Sequence, residues 1–241
     1  MVKVLNKIIE FLFPPACPLC DAPVSIHGEL CSDCWSVFAW ISGSHCACCG
    51  YPFPIDFDLP DGAMCPVCAS GRNELDWIRS ACIYDDVSRS AVLPFKHGGR
   101  VGYADFMSRA MIWAMRDIAN IDIDIVIPVP LARGRLFKRG YNQATLLARP
   151  IARAIGVKVD VDSVRRKYRP DMGHKNAHQR SENIRGVFTV VNPDAIRGRK
   201  ILLVDDVMTT GATFAELYRV LKRAGANAIY GVTFCRVART A

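Results

Sequence analysis

Residues 201–213 read Ile201-Leu202-Leu203-Val204-Asp205-Asp206-Val207-Met208-Thr209-Thr210-Gly211-Ala212-Thr213. Ile201–Val204 is short and wholly apolar, as expected of a strand in the middle of a parallel sheet. It delivers two acids to the carboxyl edge, where open α/β sheets hold their ligands. A loop of small and hydroxyl residues follows, and a helix is expected over Thr213–Ala224, closed by Gly225. Loop N–H groups and a helix N-terminus cradle a phosphate, because the positive end of the helix dipole favours an anion. Thr209, Thr210 and Thr213 add hydroxyl donors, and Gly211 permits close backbone approach. Asp205 and Asp206 would repel that phosphate, so they are expected to face something neutral. The vicinal hydroxyls of a ribose fit, since carboxylates accept their hydrogen bonds. Other phosphate devices are excluded by residues the chain lacks: there is no G-x-x-x-x-G-K-[ST] run and no dinucleotide-binding glycine fingerprint. A phosphorelay receiver needs further strands bearing an Asp and a Lys, and 35 residues after Asp206 leave no room for them.

Outward from this segment, strand and helix signals alternate. Strands are expected over Ile78–Tyr84, Ile123–Val129, Val187–Val191 and Ala228–Phe234, and helices over Ala104–Ile118 and Asn142–Ile155, the latter kinked at Pro150. That alternation indicates an α/β parallel sheet. Met1–Phe13 places Leu5, Ile8, Ile9 and Leu12 on one helical face and is expected to dock as a short helix. It lacks the small-residue cleavage site of a signal peptide, and no run of about 18 apolar residues exists to span a membrane, so a cytoplasmic protein is expected.

The first third is different. Cys17-x-x-Cys20, Cys31-x-x-Cys34, Cys46-x-x-Cys49 and Cys65-x-x-Cys68 are four thiol pairs within 52 residues. Two such pairs complete a tetrahedral shell of thiolates, so four pairs make two closed, structural zinc sites. An iron–sulfur cluster uses the same donors and is the competing assignment. The spacing leaves open whether the pairs combine sequentially or interleave. Cys48 is out of phase with the pairs, His27 and His45 find no vacancy, and Cys82 and Cys235 stand among apolar residues as expected of core thiols. With few long apolar segments here, metal replaces a core, and removing it is expected to unfold this region while sparing the rest. Charge divides the chain at the same place: residues 1–75 carry three basic and eight acidic side chains, residues 76–241 carry 28 and 15. Much of the basic excess lies between Arg133 and Arg185 and suits a polyanion. Two domains are therefore expected, 1–75 and 76–241.

The 13-residue segment resembles the phosphoribosyl-pyrophosphate motif of type I phosphoribosyltransferases. With the four cysteine pairs, Val126-Ile-Pro-Val-Pro130 before Arg133 and Arg135, Arg139-Gly-Tyr-Asn-Gln143 and Gln179-Arg-Ser-Glu-Asn-Ile-Arg-Gly186, the whole chain resembles the ComF/GntX family of bacterial competence-related proteins. The resemblance implies an N-terminal double zinc ribbon and a phosphoribosyltransferase-like domain that takes 5-phosphoribosyl-1-pyrophosphate. It assigns Asp205 and Asp206 to the ribose hydroxyls and Thr209, Thr210, Gly211, Ala212 and Thr213 to the 5′-phosphate. Pro130, Leu131, Ala132 and Arg133 correspond to the pyrophosphate loop, with magnesium bridging pyrophosphate and ribose oxygens. Lys167–Arg185 stands where such enzymes carry a closing loop, and within it Lys175, His174 and His178 are candidates for a catalytic role. Seven residues follow Phe234, so no C-terminal hood for an acceptor is expected; the ribbons, or Tyr84–Tyr103 with Lys96 and His97, are candidates for that place. The resemblance also implies a role in DNA uptake, with single-stranded DNA or a competence helicase as partner. Phe137, Tyr141 and Tyr168 are the aromatics placed to stack among the cations.

Overall fold

The computed structural model describes residues 14–53, 59–60, 62–71, 76–118, 121–167 and 184–238. The expected N-terminal helix and the stretch holding Tyr168, His174, Lys175 and His178 lie outside these residues. Two short helices, α1 (Ser32–Ser36) and α2 (Pro66–Ala69), belong to the cysteine-rich part. The remainder runs β1 (Trp77–Ile83), α3 (Asp86–His97), α4 (Tyr103–Ala114), β2 (Ile125–Pro128), α5 (Arg133–Arg139), α6 (Gln143–Ala154), β3 (Lys158–Val159), β4 (Val164–Arg166), β5 (Phe188–Val190), β6 (Lys200–Met208), α7 (Ala212–Arg223) and β7 (Ala228–Arg236).

Five strands form one parallel sheet in the order β1-β7-β6-β2-β3. Its apolar strands are covered on both sides, as parallel sheets require. On one face Val126, Leu202, Val204, Val232 and Phe234 pack against Phe95 of α3, Met107 and Met111 of α4, and Leu147 and Ile151 of α6. On the other, Ile127, Ile201, Leu203 and Ile229 pack against Phe214, Leu217 and Leu221 of α7 and against Val164 and Phe188.

Three expectations change. The strand at Val187–Val191 does not join the parallel sheet; β5 pairs antiparallel with β4 in a separate hairpin. Helix α3 is not among the expected helices; Asp85 and Ser88 close a reciprocal capping box at its start, Asp85 Oδ1 accepting from Ser88 N at 2.8 Å. Strand β6 continues four residues past Val204, so the acid pair lies inside it.

The cysteine-rich part is joined to the sheet rather than tethered beside it. Backbone N–H groups of Ile78 and Ile41 donate to the carbonyls of Cys48 and Ala81, and Ile83 N donates to Ala39 O, all at 2.9 Å. Gly50 has φ +65°, and a Cβ there would meet the Ile78 carbonyl oxygen at 2.7 Å. Between the two sets of cysteine pairs, Phe38 enters the main core and meets Phe234 edge-on at 6.0 Å between centroids, while Trp40 stacks on Trp35 at 4.2 Å. Phe38 is only 5% exposed. Phe38→Ala should therefore cost about 3–5 kcal/mol of stability for the whole chain, as a large buried aromatic does. Urea unfolding followed through the α/β part checks this; an unchanged midpoint would mean that the cysteine-rich part contributes nothing to that core.

Candidate functional site

The cysteines resolve into two sets: Cys17, Cys20, Cys31 and Cys34, and Cys46, Cys49, Cys65 and Cys68, with the sulfurs of each set within 4.8 Å of one another. The pairing is sequential. Tetrahedral zinc with Zn–S near 2.3 Å separates its sulfurs by about 3.8 Å, and Cys20–Cys31 and Cys49–Cys65 stand at 3.5 and 3.7 Å. Burial works against a thiolate at Cys17 and Cys46, but backbone N–H groups prevail, those of Cys31, Leu19 and Cys20 at the first and of Cys65, Cys49 and Cys48 at the second. Each thiol falls to about 7. Cys34 and Cys68 are pushed up, first by burial and then by neighbouring sulfurs. Four crowded thiols that cannot all ionise alone are what a divalent cation reconciles. The two clusters fit two structural zinc sites. With all four positions of each taken by protein, neither has a place for substrate.

Two buried arginines fasten the second cluster to the sheet. Arg79 of β1 donates to Ala47 O at 3.0 Å and to Asp117 Oδ2 at 2.7 Å, and its guanidinium lies 4.3 Å from the Trp77 ring centroid. Arg236 of β7 donates to Cys49 O and lies over Tyr51.

The second centre is at the carboxyl edge of β2 and β6. Their parallel register pairs Pro128 with Val204, and Val129 N donates to Val204 O at 2.8 Å. From β2 the chain moves outward to β3; β6 lies on the opposite side of β2 and leads outward to β7. This reversal of strand order opens the crevice in which such sheets bind ligands. The segment Pro130–Ala132 leaves β2 there and starts α5 at Arg133, with Ala132 buried at the N-cap. Beside it β6 ends at Met208, Thr209 and Thr210 are exposed, and Gly211 adopts φ +77° at the N-cap of α7. Only glycine takes that conformation at little cost. It turns the first N–H groups of a 12-residue helix toward the loop.

Because side chains alternate along a strand, Asp205 and Asp206 face opposite sides of β6. Asp206 follows Leu202 and Val204 toward α3, where it is 5% exposed and its Oδ1 lies 2.9 Å from Lys96 Nζ. Burial lowers the pKa of Lys96, but the carboxylate of Asp206, then that of Asp205, more than offset this and the net direction is up. Asp205 follows Ile201 and Leu203 toward α7 and the β4–β5 hairpin. Burial, then the charge of Asp206, raises its carboxyl to about 7 against the pull of Lys96. The edge thus holds one acid paired with a lysine and one whose proton is in play near neutrality. The sequence-predicted loops 130–133 and 209–213 and both acids are brought together here. Lys96, weighed from sequence only as part of a hood, is the residue whose role was missed. Its signal was one lysine in the last turn of a helix whose pattern was broken by Pro94.

The hairpin is fastened to the same helix. Glu216 of α7, 4% exposed, accepts from Gly186 N at 2.5 Å and from Arg219 at 2.6 Å, while Lys167 N donates to Val187 O at 2.8 Å. Among the described residues no helix is long and apolar enough to cross a membrane.

Chelating the zinc should do more than unfold residues before Arg72, because Cys48 and Ala39 carbonyls hold β1. Hydrogen exchange at Ile78 and Ile83 should accelerate along with that of the cysteine loops, while the amides of β6 stay protected. Unchanged exchange at Ile78 would show that the ribbons and β1 are energetically separate.

The double zinc ribbon domain family matches residues 8–69, and the phosphoribosyl transferase domain family matches residues 141–241. The DNA utilization protein YhgH of Escherichia coli O6:H1 is 30% identical over 231 residues, covering 92% of this chain and 97% of the relative. Competence protein F of Haemophilus influenzae is 28% identical over 166 residues, 66% of this chain and 72% of that one. Competence protein ComFC of Bacillus subtilis is 26% identical over 205 residues, 82% and 79% of the two chains. Matched by both domain families and aligned with YhgH over 92% of its length, this chain belongs to the family of YhgH and the ComF proteins, built as a double zinc ribbon on a phosphoribosyltransferase-type domain.

Proposed function

We propose that the chain binds 5-phosphoribosyl-1-pyrophosphate at the shared edge of β2 and β6 and transfers its phosphoribosyl group. The observation that carries this is the β2–β6 register, which sets a helix-terminal anion cradle, an acid pair and the loop after Val129 beside one another. The 5′-phosphate lies on the N–H groups and hydroxyls of Thr209–Thr213. Asp205 and Asp206 accept from the ribose hydroxyls. A carboxylate has about four acceptor positions, so Lys96 orients Asp206 without exhausting it. The pyrophosphate lies against Pro130, Leu131, Ala132 and Arg133. Magnesium bound together with the pyrophosphate would supply charge neutralisation there. The bond from the anomeric carbon to pyrophosphate breaks, the pyrophosphate departs with the electron pair, and a nucleophile from the acceptor bonds to that carbon. Lys175, His174 and His178, which fall between β4 and β5 in the sequence, are the proposed candidates for a catalytic role.

A second reading rests on α5. Phe137 is 94% exposed there, between Arg133, Arg135, Lys138 and Arg139. A solvent-facing aromatic among cations is how single-stranded nucleic acid is stacked and neutralised. The names of the relatives concern DNA utilization and competence. In this reading the sugar-phosphate is a ligand signal, and the protein docks single-stranded DNA or a helicase in the cytoplasm during DNA uptake.

Calorimetric titration of 5-phosphoribosyl-1-pyrophosphate with magnesium tests the first reading. Wild type should bind, and Asp205→Asn combined with Asp206→Asn should weaken binding about 100-fold or more, the loss of two charge-assisted contacts, with zinc content unchanged. Affinity retained in that variant sinks the assignment. Pyrophosphate released only when an acceptor is added marks a transferase. Binding without release, with single-stranded DNA affinity that falls steeply with salt and drops in Phe137→Ala, favours the second reading.

A further inference from the structure

A second basic site adjoins the acid pair from the opposite face of the sheet. The C-terminal turn of α3 and the loop after it face α5 across a cavity of about 570 Å³, lined by Lys96, His97, Arg135, Lys138, Arg139 and Tyr141. That volume suits a ligand of nucleotide size. Among the described residues no carboxylate lines this cavity. Lys96 reaches out of the cavity to Asp206, its Nζ 2.9 Å from Oδ1. His97 reports the same field: burial, then Arg139, Lys96 and Lys138, hold its proton affinity below the usual histidine value.

The cavity is built rather than incidental. Tyr141 donates through its hydroxyl to Phe95 O at 2.7 Å, and Gln143 donates to Lys96 O at 3.1 Å, so the segment after α5 clamps the last turn of α3. Arg139 is held by Gln143 Oε1 at 3.2 Å. Gly140 ends α5 in the left-handed conformation, φ +79°, which returns the chain to this clamp. A guanidinium fork held as that of Arg139 is matches the oxygens of a phosphate two at a time. The site is also separate from the donor cradle. Gly211 and α7 lie on the side of the sheet toward which Asp205 points, whereas the cavity lies on the Asp206 side.

We propose that this cavity is the acceptor subsite and that it takes a phosphomonoester, so that the acceptor is a phosphorylated small molecule of nucleotide size. The inference rests on the reading that the β6 edge holds the phosphoribosyl donor: the donor phosphate lies on one face, the acceptor phosphate on the other, and the acid pair between them. Lys96 forms the wall common to both.

The test is calorimetry on the zinc-loaded full chain, with adenosine 5′-monophosphate as the probe and adenosine as its phosphate-free counterpart. The nucleotide should bind both without and with saturating 5-phosphoribosyl-1-pyrophosphate and magnesium, and adenosine should not bind. Arg135→Gln with Arg139→Gln should weaken the nucleotide about 10-fold or more while donor affinity stays within about twofold. If that variant fails to fold, His97→Gln with Lys138→Gln, both at exposed positions, should weaken the nucleotide in the same direction. The proposal is overturned if the nucleotide does not bind, if adenosine binds equally well, if the donor displaces the nucleotide, or if the substitutions weaken both ligands alike. Absence of donor binding to wild type would defeat the proposed function instead, and nucleotide binding measured alone would still test this cavity.

Discussion

Strand β6 has a hydrogen-bonded neighbour on each edge, β7 and β2, and that double pairing governs the rest. Buried on both faces through Val204, it has to be apolar there, and Ile201-Leu-Leu-Val is. Polarity enters where the neighbours end. β2 stops at Pro128, so from Asp205 onward one edge of β6 is open to the crevice while β7 still supports the other as far as Met208. The strand can therefore carry two acids rigidly in place, because its backbone remains paired on one side. A loop bearing the same residues would have to order them on binding, at a cost in conformational entropy.

Period-two alternation then separates the two acids chemically. Asp206 lies under α3 with a lysine 2.9 Å away, and Asp205 lies under α7 with a carboxyl raised to about 7 by burial and by its neighbour. The Lys96–Asp206 pair sets a lysine and a carboxyl group 2.9 Å apart at the edge. After burial, the charge of Asp206 is what helps hold the proton on Asp205. Two identical residues in sequence become one paired carboxylate and one titratable group, through environment alone.

Metal and hydrophobic core are not alternatives in this protein. The two cysteine clusters organise loops too short to bury much surface, but the stretch between them supplies Phe38 and Trp40 to the same aromatic cluster as Phe106 and Phe234. Ribbon carbonyls hold the outer side of β1, so that strand is not a bare edge. Buried Arg79 and Arg236 reach from β1 and β7 to the carbonyls of residues 47–49. Arg79 divides its donors between these carbonyls and the carboxylate of Asp117, and Arg236 reaches the carbonyl of Cys49.

What the sequence by itself determined follows from local rules. Four C-x-x-C pairs specify tetrathiolate chemistry because two thiols at that spacing reach one ion. An apolar tetrad before Asp205 and a Thr-Thr-Gly-Ala-Thr run specify a buried parallel strand feeding an anion-binding turn. These signals are contained in a few consecutive residues, and they sufficed for the α/β class, the ribbons and the position of the candidate site. Only the tertiary structure decided the sequential sharing of metal, since ligand spacing permits either pairing and the fold alone sets which turns meet. It decided that Val187–Val191 pairs with Val164–Arg166 outside the main sheet, because strand partners are non-local. It brought Lys96 to Asp206 across 110 positions of chain, and it turned α3 and α5 toward each other to make a cationic cavity whose members, taken in order along the sequence, read as ordinary surface charge.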